Sequence, residues 1–326
     1  MKQDGLHFLL LLVCTLVADS RAFLSPQHIK RASISGHHRH SLLRYHEGQL
    51  SASASRDEDQ QAAIISNDER SSETKKQSWK DAEIVSSRPA CPSGKSTLIE
   101  IRVDQETLQE YTTPGQFVQL RPKDDTTDPI FLAISSAPTS GKTDSSTLQF
   151  LIKMSPRLPW LAETLLEGTT VKISPVMGSG FPLDQLSSKA NDHANAEVST
   201  VILAAAGSGI APLKACIESG LIVQQQQPHL QTILYYGEWT EEDLCFADLY
   251  DGWKNDYGVD VKRVLSRAPD TQGYIQKVLS NDGLVNNADD AKSTWAILCG
   301  MDDMVESCTQ VLKDAGVDKD RILLNL

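Results

Sequence analysis

VSTVILAAAGSGIAPLK, residues 198–214, is the stretch of this sequence that decides the fold. Its first half is apolar and uncharged, which is typical of a strand buried on both faces of a parallel sheet. The run stops at Gly207–Gly209, and Pro212 follows where the first turn of a helix needs no N–H. Such a turn lets phosphates approach the backbone and meet the positive end of a helix. The stretch indicates either a nucleotide-binding turn or an ordinary strand-to-helix turn.

The rest of the C-terminal half alternates apolar strands with helical segments. Further strands are predicted at 232–236, 259–265, 295–298 and 321–326. Helices are predicted directly after the glycine turn and at 241–253, 274–279 and 305–312. Five strands alternating with four helices predict an α/β domain over residues 198–326, with a doubly wound, five-stranded parallel sheet. Ligands of such sheets bind beyond the carboxyl ends of the strands. Four features fall there: Gly207–Pro212, Gly237, Ser266-Arg267 and Cys299-Gly300.

Residues 79–175 show a different pattern, with short alternating segments separated by turns. Strands are predicted at 84–85, 99–103, 116–120, 131–134, 148–152 and 171–173, and one helix at 158–166. This pattern predicts a closed, six-stranded antiparallel β-barrel with one helix. Residues 176–197 read as the connection between the two domains. Gly178 and Gly180 in this connection either let a flat ligand lie against the backbone or only shape a loop.

Composition and charge limit the classes of function. A chain of 326 residues that is 40% hydrophobic suggests two domains plus a targeting segment. The net charge is −12, and residues 1–78 hold ten Lys and Arg against nine Asp and Glu, so the acidity belongs to the remainder. An acidic body argues against nucleic acid and anionic membranes as partners, and no stable membrane insertion of the mature chain is expected. Six scattered cysteines predict no metal site and no disulfide framework.

The first 78 residues read as a targeting sequence. An apolar run at residues 8–18 is too short to span a membrane, which predicts a signal peptide over residues 1–22. Residues 23–78 begin with a basic stretch rich in Ser and His, typical of a transit peptide, and end in a polar linker predicted to be disordered. The pair resembles the two-part plastid presequences of algae with secondary plastids. Plastid import is therefore predicted, and the alternative is a secreted protein.

From about residue 80 to the end, the order of the motifs resembles a known family. A barrel, then GxGxxP after the first strand, Ser-Arg after the third and Cys-Gly after the fourth resemble the ferredoxin–NADP reductase superfamily. The stretches PGQFVQLRP, IFLAISSAP, SPVMGSGFPL and AAAGSGIAPLK are most similar to its plant branch named after a kiwi fruit protein. Members of that branch are flavin- and nicotinamide-binding oxidoreductases. The resemblance therefore implies FAD and NADP or NAD as cofactors.

The resemblance also implies roles for individual residues in binding NAD(P). Those implied to hold the pyrophosphate and the nicotinamide ribose are Gly207, Ser208, Gly209, Ile210, Ala211 and Pro212. Those implied to border or position the nicotinamide ring are Cys299, Gly300 and Met301. Ser266 and Arg267 match the pair that grips the 2′-phosphate of NADP, and a guanidinium fork with a hydroxyl suits a phosphate. Tyr274 and Gln276 match the adenosine end. A solvated strand end for Ser266-Arg267 and a small buried hydrophobe for Cys299 are the ordinary alternatives.

The flavin side of the resemblance is less complete. The residues implied to face FAD are Phe131, Leu132, Ala133, Ile134, Ser135, Gly178 and Gly180. Flavin-binding members carry Arg-x-Tyr-Ser on this strand, and the corresponding positions here hold Ile130, Leu132 and Ala133, without charge or aromatic ring. Three functions follow. The first is a reductase that passes a hydride from NAD(P)H to FAD and electrons to an acceptor, and the second is a nucleotide-binding module without flavin. The third is a subunit that docks an electron carrier such as ferredoxin; the acidic body of the chain disfavours this docking, because ferredoxin is acidic too.

Overall fold

Two sheets, one antiparallel and one parallel, build the part of the chain that the structure describes. The computed structural model describes residues 78–124, 127–138, 146–186, 198–222, 230–267 and 273–324. The predicted signal peptide, and the predicted transit peptide and linker up to residue 77, lie outside the described residues and stay predictions. None of the helices in the described ranges is long and apolar enough to cross a bilayer.

The antiparallel sheet closes into the predicted barrel. Its strands are β1 (Lys80–Pro89), β2 (Ser96–Arg102), β3 (Phe117–Pro122), β4 (Ile130–Ala133), β5 (Thr147–Lys153) and β6 (Thr170–Ile173). The strand order is β4-β3-β6-β1-β2-β5, and a bridge between Ile134 and Phe150 joins the two ends of the sheet. Alternate side chains, such as Ile84, Ile99 and Leu120, fill the interior, as the period of two predicts.

The barrel carries two short helices, α1 (Gln105–Glu110) and α2 (Trp160–Thr164), where the sequence analysis predicts only the second. The reason for α1 is local. Asp104 caps the helix, and its Oδ1 accepts a hydrogen bond from the backbone N–H of Thr107 at 2.8 Å. Hydrogen bonds from the hydroxyl and the backbone N–H of Thr107 lower the pKa of Asp104 to about 2.

The parallel sheet has the predicted doubly wound arrangement. Its strands are β7 (Thr200–Ala206), β8 (Gln231–Glu238), β9 (Val259–Leu265), β10 (Thr294–Cys299) and β11 (Ile322–Leu324), in the order β11-β10-β7-β8-β9. Its helices are α3 (Ile210–Glu218), α4 (Tyr250–Tyr257), α5 (Ile275–Asp282), α6 (Ala288–Ser293) and α7 (Asp302–Asp314). Every residue of β7 is buried, as its apolar run predicts. Helix α6, capped by Asn287, is additional to the four predicted helices.

The prediction of one continuous helix over residues 241–253 is wrong. Two 3₁₀ turns, Glu241–Asp243 and Ala247–Leu249, precede α4. Between them Phe246 is buried in a left-handed conformation with φ of 60°, and its backbone N–H donates to the carbonyl of Ala90 at 3.3 Å. The segment leaves the helical path because burying Leu244 and Phe246 in the core outweighs its local helix propensity.

One buried apolar cluster contains residues of both the barrel and the α/β domain. Cys91, Leu98 and Leu151 of the barrel lie in the same buried cluster as Leu203 and other side chains of the α/β domain. Three residues of the predicted connection are buried in that cluster as well: Phe181, Leu183 and Leu186. The backbone N–H of Ser93 also donates to the carbonyl of Glu242 at 2.8 Å. These contacts fix the barrel against the loops of the parallel sheet.

Candidate functional site

The glycine turn after β7 lies directly against the loop after β10. The two strands are neighbours, with Ala205 opposite Cys299. A β-carbon on Gly209 would lie 2.2 Å from the carbonyl oxygen of Cys299 and 2.8 Å from the Cα of Gly300. Gly300 has φ of 153°, and a β-carbon there would lie 3.0 Å from the backbone N of Ala206. Both glycines are therefore required for the two loops to meet at the carboxyl edge of the sheet.

The outer side of the same turn is open. Gly207 has φ of 58°, and no atom of the described residues lies within 4 Å of the position a β-carbon would take. Helix α3 begins at Ile210, and no side chain among the described residues caps it at Gly209. Open space in front of a helix start without a side-chain cap suits a pyrophosphate. Of the predicted residues here, Gly207 and Ser208 are partly exposed, whereas Ile210, Ala211 and Pro212 are buried.

The residues predicted to border the nicotinamide differ in exposure. Cys299, at the end of β10, is 9% exposed. Its neighbour Cys216 is fully buried, and burial, with the nearby Cys299, raises the pKa of the Cys216 thiol. Met301, two residues beyond Cys299, is 42% exposed. The structure thus brings Cys299 and Gly300 to the glycine turn and leaves the side chain of Met301 accessible to a ligand.

Ser266 and Arg267 lie beside a residue that the sequence analysis did not include, Trp239. The backbone N–H of Ser266 donates to the carbonyl of Glu238 at 3.0 Å, and that of Arg267 donates to the carbonyl of Trp239 at 2.9 Å. These bonds extend the pairing of β8 and β9 beyond the strands. The guanidinium carbon of Arg267 lies 3.7 Å from the centroid of the Trp239 ring, which is a close cation–π contact.

Two lysines from the barrel approach the same indole ring. The Nζ of Lys153 lies 5.0 Å and that of Lys95 lies 5.4 Å from the ring centroid of Trp239. Lys95 also pairs with the buried carboxylate of Asp243 at 2.9 Å. We call Trp239 with Lys95, Lys153 and Arg267 the indole–cation cluster. Three cations around one ring make a local positive site in a chain of net charge −12.

One acidic side chain lies next to the indole–cation cluster. Glu238 ends β8 and receives a hydrogen bond from the hydroxyl of Tyr236 at 3.3 Å. Burial raises the pKa of Glu238, and the charge of Lys153 partly offsets this. An acid after the second strand of such a sheet is also the residue that binds the ribose hydroxyl in NAD-dependent proteins. The region therefore contains groups suited to a phosphate and a group suited to a hydroxyl.

The residues predicted for the adenosine end lie at the start of α5. Tyr274 immediately precedes the helix and is 63% exposed. Gln276 is partly buried, and its Oε1 has no hydrogen-bond partner among the described residues. The helix reaches the edge of the sheet because Gly237 leaves room for Ile275, whose Cδ1 would lie 2.9 Å from a β-carbon there. Tyr274 is thereby placed beside the end of β8.

Strand β4 presents a different face from the one the sequence alignment implies. Leu132 and Ile134, both predicted to face FAD, are buried in the barrel core together with Ile130. Phe131 and Ala133 are partly exposed on the outer face. The ring of Phe131 lies 6.0 Å from that of Phe117, centroid to centroid. The position that matches the family's aromatic residue, Leu132, is therefore buried, and the alternation of the strand turns the neighbouring Phe131 outwards instead.

Ser135 and the two glycines of the connection complete the predicted flavin site. Ser135 is 0% exposed, and its hydroxyl has no hydrogen-bond partner among the described residues. Phe117 already fills the space beside Gly178, with a ring atom 2.7 Å from the position of a β-carbon. Thr113 does the same for Gly180 at 2.7 Å. These glycines are therefore required by the packing of the loop itself, and their role in flavin binding stays a prediction.

The outer face of the barrel fits a flavin ring system. Phe131 offers an aromatic surface, and Ser135 has a buried hydroxyl without a partner among the described residues. Strand β4 contains no basic residue for the pyrophosphate. Cations are instead found on the other strands of the sheet, with Arg121 on β3 and Lys153 on β5, both partly exposed. The residues present thus fit the ring, and a cation for the phosphates has to come from a strand other than β4.

The family model of the oxidoreductase NAD-binding domain matches residues 203–310. The fruit protein pKIWI502 of Actinidia deliciosa is 27% identical over 297 residues, covering 88% of this chain and 86% of that protein. Subunit gamma of sulfhydrogenase 2 from Pyrococcus furiosus is 26% identical over 240 residues, covering 69% and 75%. A ferredoxin NADP⁺ reductase from Neisseria gonorrhoeae, solved with bound FAD and NADP, superposes with a TM-score of 0.56 at 20% identity, covering 76% and 97%. The described residues therefore share the barrel-plus-parallel-sheet fold of this solved structure, and residues 203–310 match an oxidoreductase NAD-binding domain.

Proposed function

We propose that this chain is an NAD(P)H-dependent flavoprotein reductase. It binds the nicotinamide nucleotide at the edge of the parallel sheet and FAD on the barrel, and it passes electrons to a further acceptor. The observation that carries the proposal is the contact of Gly209 with Cys299 and Gly300 beside the open turn at Gly207. That site lies in the α/β domain, which shares a buried apolar cluster with the barrel. The presence of FAD and NADP in the Neisseria gonorrhoeae reductase, which has the same fold, supports it.

The turn at Gly207–Gly209 would hold the pyrophosphate of the nucleotide. The start of α3 offers backbone N–H groups and the positive end of the helix dipole to that charge. The loop after β10 would then orient the nicotinamide, with the backbone at Cys299 and Gly300 behind it and Met301 beside it. In this chemistry the protein supplies position and electrostatics, so no acid–base residue is required at the loop.

We propose that NADPH is preferred to NADH. The 2′-phosphate adds close to two negative charges, and the indole–cation cluster supplies three cations, of which Lys95 pairs with the buried carboxylate of Asp243. Glu238 favours a ribose hydroxyl and hence NADH. Burial raises the pKa of Glu238, and the positive charge of Lys153 acts on the same carboxylate and offsets its repulsion of a phosphate. The fork of Arg267 therefore decides the preference.

On the barrel, the outer face of β4 would hold the flavin. Phe131 would stack against the ring system, and the backbone of residues 131–135 would contact its edge. When bound, FAD would supply a hydride acceptor that can release electrons one at a time. The acceptor of those electrons is proposed to be a small molecule or a small electron-carrier protein, as the name of the Neisseria gonorrhoeae relative implies for that protein.

A second candidate function is a nucleotide-binding module that has lost the flavin. It is favoured by the absence of a basic residue on β4 and by the filled space at Gly178 and Gly180. An absorbance spectrum of the purified chain with and without FAD separates the two functions. The reductase is expected to be yellow and to bleach when NADPH is added under argon. A colourless chain that takes up no FAD, but binds NADPH by calorimetry, would leave only the second function.

We also propose import into a plastid, on the basis of residues 1–78 alone. An apolar run followed by a basic stretch rich in Ser and His supports two successive targeting signals. A fusion of residues 1–78 to a fluorescent protein, expressed in an alga with secondary plastids, should label the plastid. Labelling of the secretory pathway and the medium would support secretion instead.

A further inference from the structure

A buried lysine connects the nucleotide-binding turn to the barrel. Lys214 lies on α3 and is only 4% exposed. Its Nζ donates to the backbone carbonyl of Ser135 at 3.3 Å and to the side-chain oxygen of Gln149 at 3.2 Å, both in the barrel. It also donates to Glu218, one turn further along α3, at 2.6 Å. Its ammonium lies 5.7 Å from the ring centroid of Phe246.

The hydrogen bonds of Lys214 do something that packing alone does not. A buried ammonium has to keep its hydrogen bonds, because desolvating it without partners costs several kcal/mol. An apolar side chain of similar length would fill the same space without that cost. The lysine therefore provides what an apolar residue cannot, namely directed bonds from α3 to two fixed oxygen atoms of the barrel.

Both ends of the connection lie at the proposed cofactor sites. On one side, Lys214 is five residues from Gly209, on the helix that begins at the glycine turn. On the other side, Ser135 follows the strand that presents Phe131. The barrel holds this end of β4 independently, because Ser135 N–H donates to the carbonyl of Gln149 at 2.8 Å and the hydroxyl of Tyr111 donates to the carbonyl of Ser136 at 2.6 Å. Lys214 thus joins α3 to a part of the barrel that other hydrogen bonds already hold in place.

We propose that Lys214 is a positioning residue that sets the distance between the nicotinamide and the flavin. This inference rests on the proposed function. Hydride transfer needs the reacting atoms about 3–3.5 Å apart, and a misplacement of about 1 Å costs roughly 100-fold in rate. The hydrogen bonds of Lys214 to Ser135 and Gln149 hold the helix that carries the nucleotide against the strand that carries the flavin. Loss of these bonds is expected to impair transfer and to leave nucleotide binding nearly intact.

The test uses Lys214→Met, which keeps the length of the side chain and leaves Glu218 bonded to Nε1 of Trp253 at 3.1 Å. Stopped-flow reduction under argon gives the limiting rate of flavin reduction and the Kd of NADPH separately. We expect the rate to fall about 10- to 100-fold while the Kd changes less than about threefold. The control, Lys254→Met on α4, removes an exposed ion pair with Asp260 of β9 and should change neither value.

A second variant shows whether the effect passes through the barrel. Gln149→Leu removes the side-chain acceptor and should lower the limiting rate as Lys214→Met does. The limiting rate of the double variant should be little lower than that of Lys214→Met alone, because both changes break the same contact, the one between Lys214 and Gln149. Additive losses, or a Kd that rises in step with the fall in rate, would overturn the inference, since either would mean that Lys214 only supports its own helix.

A measurement without cofactors separates failure of this inference from failure of the proposed function. In calorimetry of the cofactor-free chain, Lys214→Met is expected to broaden or split the unfolding transition, because the barrel and the α/β domain are less tightly coupled. If the wild-type flavin is not reduced by NADPH, the proposed function falls, and an unaltered transition in the variant overturns the inference as well. If the wild type is reduced and the variant is reduced as fast, the inference alone is overturned.

Discussion

Replacing Gly209 by alanine tests the contact on which the nucleotide site is built. Gly209 has φ of −60°, so alanine meets no backbone strain there. The new β-carbon would lie 2.2 Å from the carbonyl oxygen of Cys299, whereas ordinary contact begins at 3.4 Å. The loop after β10 must therefore move by roughly 1 Å in a tightly packed interior. Overpacking of this kind costs about 1–3 kcal/mol of the free energy of unfolding.

The same shift would also disturb the nucleotide. Because the displaced loop is proposed to border the nicotinamide, Gly209→Ala is expected to lower the rate of NADPH oxidation with a dye acceptor about 100-fold. Urea unfolding gives the stability, and titration with NADPH gives the affinity. Two glycines serve as controls. Gly207→Ala meets no described atom but requires φ of 58°, so it should cost about 1–2 kcal/mol from backbone strain.

Gly252→Ala, inside α4, is the second control. Its β-carbon would approach only a carboxylate oxygen of Asp256, at 4.0 Å, so it should stabilise the chain by about 0.5–1 kcal/mol. The reasoning is refuted if Gly209→Ala unfolds within about 0.5 kcal/mol of the wild type and binds NADPH equally well. That result would mean that the turn after β7 does not pack against the carbonyl of Cys299.

Three further predictions address the nucleotide, the flavin and the pH dependence. Arg267→Ala should raise the KM for NADPH about 10- to 100-fold and that for NADH much less, since a charge-assisted hydrogen bond contributes about 1.5–3 kcal/mol; steady-state kinetics with both nucleotides checks this. Phe131→Ala should weaken FAD binding about 2- to 10-fold in a fluorescence titration, whereas Leu132→Ala should instead destabilise the barrel by about 2–5 kcal/mol. Asp104→Ala should cost about 1 kcal/mol at neutral pH through loss of the cap on α1. Because the folded pKa of Asp104, about 2, is below the ordinary 3.8, that difference is present above pH 4, shrinks in urea titrations as the pH falls from 4, and should vanish below 2.

The strands were predictable because their signal is local. The apolar run of β7 and the alternation in β2 and β3 each identify a strand without knowledge of its partners. Helix α1 also has a signal in the sequence, since Asp104 is a good cap with Glu106 in the first turn. Residues 241–253 carried the helical signal but are bent by burial against the barrel, a contact that no local pattern contains.

The site was predictable only where its residues follow a motif. The turn at Gly207–Gly209 and the loop at Cys299-Gly300 end buried strands, so strand order alone brings them to one edge. Lys153 and Trp239 are 86 positions apart, on different domains, and their contact depends on how the barrel docks. The same holds for Lys214 and Ser135. The alignment placed the aromatic position of β4 at Leu132, whereas the burial pattern of the strand shows that Phe131 faces outwards.

The net charge of −12 suggests a poor partner for an anionic ligand, yet the indole–cation cluster reverses this locally. Exposed charges further apart than about 8–10 Å are largely screened at physiological salt, so distant acids slow the approach of an anion more than they weaken its binding. The cations of the cluster lie within 5.4 Å of one ring centroid. Two of the three belong to the barrel, although the family match covers only residues 203–310. The proposed recognition of the phosphate therefore depends on the docked pair of domains, as does the connection through Lys214, and the α/β domain alone should bind NADPH poorly.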